Sequence, residues 1–156
     1  MRVDAGRWPI CFLALLLLVG LAATGCARSA PIKVRGAAEL NRNAMGESTP
    51  VIVRFFELRR DGRFRNAAFD ALWADPSEVL GDDLVRGPDE TEVFPGEATK
   101  VVDLGTLSAE TQVIGVMGLY RKAAAGEQRT LVLPIDEVDQ HVVELAGYGV
   151  RLVEAR

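Results

Sequence analysis

The spacing of apolar positions changes along the chain, and each change marks a different kind of element. Residues 10–23 are a run of 14 apolar or small side chains without a charge, dominated by Leu. From Ile32 the pattern alternates: Ile32, Val34, Gly36, Ala38 and Leu40 fall on one face, and Lys33, Arg35, Ala37, Glu39 and Asn41 on the other. A period of two predicts a half-buried strand. Asn43–Pro50 is rich in turn-forming residues and predicts a loop. Val51–Leu58 is a second strand, apolar on both faces and therefore central in its sheet.

The period then lengthens. Asn66 can cap a helix in which Phe69, Leu72 and Trp73 share one side. Asp75-Pro76-Ser77-Glu78 supplies an N-cap, a proline in the first turn and an acid at the third position, and Gly81 a stop. Two short helices, 66–74 and 76–84, are expected to interrupt the strands. Strands resume near Glu92–Phe94, and Pro95-Gly96 suits a type II turn. Lys100–Leu104, Gln112–Lys122, Arg129–Ile135 and Val142–Val153 are further strand candidates, with Ala123–Gly126 a hairpin loop. Gly115 and Gly118, inside an apolar strand, mark a bulge or a close sheet–sheet approach. About seven short strands with frequent turns predict an all-β, two-sheet sandwich with a short inserted helical element.

The N-terminal apolar run is short of the roughly 20 residues a membrane-spanning helix needs, and it has the flanks of an export signal. Arg2 and Arg7 outweigh Asp4 before it, and Ala22-Ala23-Thr24-Gly25-Cys26 follows. The last five residues read as a lipobox, with Ala23 where Leu is usual. Cleavage before Cys26 would leave its thiol for acylation. The competing reading is an ordinary signal cut near Ala27 or Ala30, with Cys26 incidental. The expected organisation is a signal peptide over 1–25, a lipidated tether over 26–31 and a sandwich domain over 32–156. Ala27 follows Cys26 where a retention signal would place Asp, so the outer membrane, facing the periplasm, is the expected location.

Removing residues 1–25 leaves 131 residues with 16 basic and 21 acidic side chains. That is long enough for one core, and too acidic for a nucleic-acid partner. Cys11 leaves with the signal and Cys26 is spoken for, so no disulfide or Cys-ligated metal is expected. His141 is the one histidine and, opening a strand, reads as structural. No phosphate-binding glycine loop, zinc-protease or nucleophile-elbow motif is present. Ser48, Ser77 and Ser108 have no activating neighbours in sequence. The acidic groups Asp75, Glu78, Asp82, Asp83 and Asp136, Glu137, Asp139 lack calcium-loop spacing and read as solvated carboxylates. Trp73 reads as packing of the helical insertion onto the sandwich. No catalytic residue, metal site or cofactor is expected.

An ordered set of segments carries a resemblance. Leu40-Asn41-Arg42-Asn43 is followed by Gly46-Glu47-Ser48-Thr49-Pro50 and by Val51–Leu58. Phe64, Ala68-Phe69, Leu72, Asp75 and Leu80-Gly81-Asp82-Asp83-Leu84 come next. Then follow Phe94-Pro95-Gly96-Glu97 and Ile114–Arg121. Together, behind a lipobox, they resemble the TssJ (VasD, SciN) family of type VI secretion outer-membrane lipoproteins. One departure is Gln128-Arg129 where members often have Trp-Arg. The resemblance implies a transthyretin-like two-sheet sandwich without enzymatic activity, held to outer-membrane lipid through Cys26. It also implies binding to the periplasmic C-terminal domain of the inner-membrane protein TssM, and through that complex an indirect link to TssL. The contact it implies is the loop between the first two strands: Asn43, Ala44, Met45, Gly46, Glu47, Ser48, Thr49 and Pro50. The residues agree, since Met45 is an apolar side chain in a polar loop. A lipoprotein that binds a small ligand on a sandwich scaffold is the alternative.

Overall fold

The computed structural model describes residues 28–155; the expected signal peptide and Cys26 lie outside them. The strands are β1 (Arg28–Leu40), β2 (Val51–Leu58), β3 (Leu84–Val93), β4 (Lys100–Leu107), β5 (Val113–Leu119), β6 (Thr130–Pro134), β7 (His141–Gly147) and β8 (Gly149–Glu154). They form two four-stranded sheets, ordered β4-β1-β7-β8 and β3-β2-β5-β6. All pairings are antiparallel except β1 with β7. Three short helices, α1 (Gly62–Asn66), α2 (Phe69–Ala74) and α3 (Pro76–Leu80), sit between β2 and β3. This is the expected all-β sandwich with a helical insertion.

The period-two faces of β1 and β2 explain the core. Ile32 and Val34 of β1, Val51, Val53 and Phe55 of β2, Ile114 and Val116 of β5, and Val143 and Leu145 of β7 meet between the sheets, all essentially inaccessible. Strand β2 is apolar on its other face too, because Phe56 and Leu58 lie under the helices with Phe64, Leu72, Leu80 and Met117. Gly115 makes this second layer possible. A Cβ there would lie 2.8 Å from the Phe64 ring, so the close approach is made by the helical insertion and not by the opposite sheet. Trp73 packs on the same side, with the Arg54 guanidinium carbon 3.4 Å from its ring centroid.

Several boundaries differ from the sequence reading. Strand β1 begins at Arg28 with Ala30 already buried, so most of the expected 26–31 tether is strand. Asn66 does not cap a helix. It ends α1, its amide donates back to the Gly62 carbonyl at 2.8 Å, and the extended Ala67 and Ala68 start a new helix at Phe69. That break lets Phe64 and Leu72 enter the same apolar layer. The Asp75 cap is present, accepting from Glu78 N at 2.9 Å, and Gly81, whose φ is 50°, ends α3 as expected; only the end at 84 differs, because Gly81–Asp83 is a 3-10 turn. Strand β3 starts at Leu84 and not near Glu92; it is an edge strand with charged outward residues, so alternation is hidden. The single strand expected over Val142–Val153 is a hairpin that turns at Gly147, whose φ is 56°.

One end of the sandwich is closed by a buried carboxylate on the core face of β2. Glu57 accepts from the Thr111 hydroxyl at 2.7 Å and the Ser108 N–H at 3.2 Å. Its other oxygen lies 2.5 Å from Arg86. Arg86 also donates to the Leu104 carbonyl, so the group joins β2, β3, β4 and the loop after β4.

Candidate functional site

Strand registers place the loops 41–50, 94–99 and 120–129 and the turn at 147–148 at one end of the sandwich. Leu40 pairs with Gly147, Val51 with Val93, and Ile52 with Leu119. Arg28, paired with Leu107, lies at the other end. The 13 residues of β1 run between the two. At about 3.3 Å per residue the separation is at most about 40 Å, since register shifts at Ser29–Pro31 and Gly36–Leu40 shorten the strand.

The loop 41–50 is built on Asn41. Its φ is 48°, a left-handed conformation that asparagine tolerates better than most residues. It is only 4% exposed. Its amide nitrogen donates to the Thr49 hydroxyl at 3.0 Å and the Pro50 carbonyl at 2.9 Å, and its amide oxygen accepts from Arg121 N at 2.8 Å. The Thr49 hydroxyl donates to the Asn41 carbonyl at 2.6 Å. Thr49 N donates to the Leu40 carbonyl at 3.0 Å, and Asn41 N to Gly147 at 2.7 Å. The Ser48 hydroxyl donates to the Ala38 carbonyl at 2.9 Å and accepts from Leu40 N at 3.3 Å. Both ends of the loop are thereby pinned to β1.

The tip is organised by Asn43. Its side-chain oxygen accepts from Met45 N at 2.9 Å and Glu47 N at 3.0 Å, and its amide donates to the Glu47 carboxylate at 2.9 Å. Backbone bonds from Asn43 N to the Glu47 carbonyl (2.9 Å) and from Gly46 N to the Asn43 carbonyl (3.0 Å) complete the turn. Gly46, with φ of 81°, takes the position a β-carbon would disfavour. Met45 is left 80% exposed at the apex. The Tyr148 hydroxyl supports the loop from below through the Arg42 carbonyl at 3.1 Å.

All eight loop residues expected as a contact, Asn43 to Pro50, thus belong to one fixed element, but they divide by role. Met45 and Glu47 face outward, whereas Ser48 and Thr49 turn back onto β1 as struts. Asn41, Arg121 and Tyr148 were not singled out for the loop in the sequence reading. An asparagine ending a strand before a turn-rich loop was the available signal for the first. The other two act from distant loops, and Arg121 through its backbone.

The remaining candidates lie elsewhere. His141 opens β7 with Nδ1 3.1 Å from the Glu137 carbonyl. Asp75 caps α3, and Asp83 is buried against Arg60 at 2.7 Å. Glu144, on the outer face of β7, is opposed in ionising by burial, but hydrogen bonds from Arg151 and Arg35 outweigh that and hold its carboxyl below the ordinary value. Tyr120 is buried beneath the loops, donating to the Gly149 carbonyl at 2.5 Å, and burial pushes its hydroxyl pKa upward. Among the described residues no group of three or more His, Cys, Asp or Glu is placed to hold a metal ion, and no helix is long and apolar enough to cross a membrane.

Comparison with solved structures gives the fold relatives. The T6SS lipoprotein TssJ1 from Pseudomonas aeruginosa is 26% identical, with a TM-score of 0.72 over 83% of this chain and 98% of that one. Serratia marcescens Lip, a membrane-bound component of the type VI secretion system, is 24% identical, with a TM-score of 0.72 over 82% and 97%. A chain of a type VI membrane complex is 22% identical, with a TM-score of 0.70 over 81% and 98%. No curated protein sequence matches. The family model for type VI secretion lipoproteins (VasD, EvfM, TssJ) matches residues 28–147, and the chain belongs to that family.

Proposed function

We propose that this lipoprotein is a non-enzymatic adaptor, anchored through acylated Cys26 to the periplasmic face of the outer membrane. Its loop Asn43–Pro50 binds the periplasmic C-terminal domain of a TssM-type inner-membrane protein. The observation that carries this reading is the loop itself. It is an element fixed by its own hydrogen bonds that exposes one large apolar side chain, Met45, at the end opposite the anchor. Ordering a loop on binding costs about 1–2 kcal/mol of backbone entropy per residue, so a loop already ordered binds with less loss. Similarity to a chain of a type VI membrane complex supports a partner of that class. The contact with TssL is indirect, through the same assembly.

A pull-down tests it. Residues 27–156 are offered the periplasmic C-terminal domain of the TssM-type protein from the same organism, with and without residues 44–49. Micromolar or tighter binding that vanishes with the deletion is expected. A folded domain that fails to bind would overturn the adaptor reading and favour the small-ligand alternative. Fractionation of a Cys26→Ser variant tests the anchor: the protein should leave the outer-membrane fraction, and retention there would refute acylation at Cys26.

A further inference from the structure

The segment between β5 and β6, residues 120–129, crosses the turn that joins β7 to β8 and is fastened to it near both ends. At one end the Tyr120 hydroxyl donates to the Gly149 carbonyl at 2.5 Å. At the other, Val150 N donates to the Gln128 carbonyl at 2.7 Å, and Tyr148 N donates to the Glu127 carboxylate. Between them the Lys122 ammonium lies 4.4 Å from the centroid of the Tyr148 ring. The turn leaves room for the crossing. Gly149 is buried and, unlike Gly147, has no positive φ, so its backbone does not call for glycine. The space does: a Cβ there would lie 3.0 Å from the Glu127 Cβ and 3.1 Å from the Gln128 carbonyl oxygen. A Cβ at Gly147 would lie 2.7 Å from the Glu127 carboxylate. Two glycines thus seat one glutamate.

The same turn carries the loop 41–50. The Gly147 carbonyl accepts from Asn41 N at 2.7 Å, and the Tyr148 hydroxyl donates to the Arg42 carbonyl at 3.1 Å. Tyr148 is therefore held by Glu127 through its backbone and holds the loop through its side chain. Among the described residues Glu127 makes no hydrogen bond to the loop itself. The crossing segment reaches the loop directly only at Arg121 N, 2.8 Å from the Asn41 amide oxygen. The tip beyond Arg42, closed by Asn43 on Met45 N and Glu47 N, thus depends on its neighbours at its base.

We propose that Glu127 is a positioning residue for the partner-binding loop and acts through Tyr148. Seated on the turn, it keeps the Tyr148 hydroxyl under Arg42, and so keeps the tip in one shape before the partner arrives. Partner affinity falls with the fraction of molecules whose loop holds that shape. The binding role rests on the adaptor reading above. The relay from Glu127 through Tyr148 to Arg42 is a property of the free protein and is tested without a partner.

The first readout is hydrogen exchange of the Met45, Gly46 and Glu47 amides in the mature protein, kept in detergent micelles. Glu127→Ala and Tyr148→Phe are each expected to speed that exchange about two- to tenfold, the equivalent of one hydrogen bond, with β2 and β5 amides unchanged. Because both act through one contact, the double variant should exchange no faster than about twice the faster single variant. Glu127→Gln keeps an oxygen acceptor and should return the loop to within about twofold of wild type. Faster exchange at Tyr148 and Val150 with none in the loop would make Glu127 a fastener of the hairpin alone and overturn the proposal. A glutamine variant as fast as alanine would overturn it too. The second readout is a titration with the periplasmic C-terminal domain of the TssM-type partner, in which Glu127→Ala should bind at least about twofold more weakly and Glu127→Gln like wild type. Fast loop exchange in Glu127→Ala at wild-type affinity would overturn the positioning role and leave the adaptor reading standing. A wild-type protein that does not bind would end the adaptor reading and the binding role of Glu127 with it, whatever the exchange shows.

Discussion

Replacing Asn41 with alanine removes three side-chain hydrogen bonds and puts a β-carbon residue without local hydrogen bonding at a left-handed φ of 48°. The Pro50 carbonyl and the Arg121 N–H lose their partners in a site that is 4% exposed at its centre. Each net hydrogen bond is worth about 0.5–1.5 kcal/mol, and the left-handed backbone costs a non-glycine residue roughly 1–2 kcal/mol. The sum is a loss of about 3–5 kcal/mol, a large share of the roughly 5–15 kcal/mol of a typical domain. For a domain of this size that is a fall of about 10–20 °C in melting temperature. Asn41→Gly keeps the conformation without the bonds and should recover about 1 kcal/mol of the loss. Urea unfolding followed by far-UV circular dichroism measures both. A loss below about 1 kcal/mol in the alanine variant would refute the clamp, since two of its bonds alone are worth more. A glycine variant no better than alanine would refute the backbone part of the argument.

Gly115→Val should cost about 1–3 kcal/mol by driving a side chain into the Phe64 ring, and Phe64→Ala alone about 3–5 kcal/mol. Because the two changes share one contact, the double variant should be more stable than the sum of the single losses implies, and strict additivity in urea titrations would disprove the contact. Glu57→Leu should destabilise by about 2–3 kcal/mol, since Thr111 and Ser108 lose their acceptor; half-exposed Arg86 regains water and moderates the cost. Unfolding at or above the wild-type urea midpoint would contradict that. Glu144 is held below the ordinary glutamate value of 4.5, so its contribution to stability is present above that pH and is lost as pH falls through the lower folded-state value. Glu144→Gln should therefore flatten the acid limb of a melting-temperature profile below about pH 5 while leaving its shape near neutrality unchanged. An unaltered acid limb would count against the Arg35–Glu144–Arg151 arrangement.

The elements most legible in the sequence were those whose pattern has one physical cause. Strand β2 was read to the residue because both of its faces are buried, one in the sandwich and one under the helices. The Asp75 cap was readable because its hydrogen bond is local. Strand β3 was not, because an edge strand carries Arg86, Asp89, Glu90 and Glu92 without disturbing the core. The β7–β8 hairpin was missed because alternation continues on both sides of a two-residue turn. The loop was legible as a loop, and Met45 as its exposed apolar residue. Its stiffness was not, because it depends on Arg121, Tyr148 and Gly147, which come from loops 70 or more residues away in the chain.

That stiffness gives the proposed anchoring its mechanical sense. A lipid chain at Cys26 would leave one residue, Ala27, before β1 begins, so the domain could not swing far from the bilayer. Strand β1 is paired with β4 over Arg28–Val34 and with β7 over Lys33–Leu40, which makes it a strut of at most about 40 Å rather than a flexible stalk. The loop that leaves its far end is pinned back onto the same strand at Ala38 and Leu40. In the proposed arrangement, force or displacement applied at Met45 would therefore pass along one hydrogen-bonded strand to the lipid anchor. The rest of the sandwich would hold that strand in place. A partner reaching across the periplasm would meet a surface that is fixed in shape and held away from the membrane.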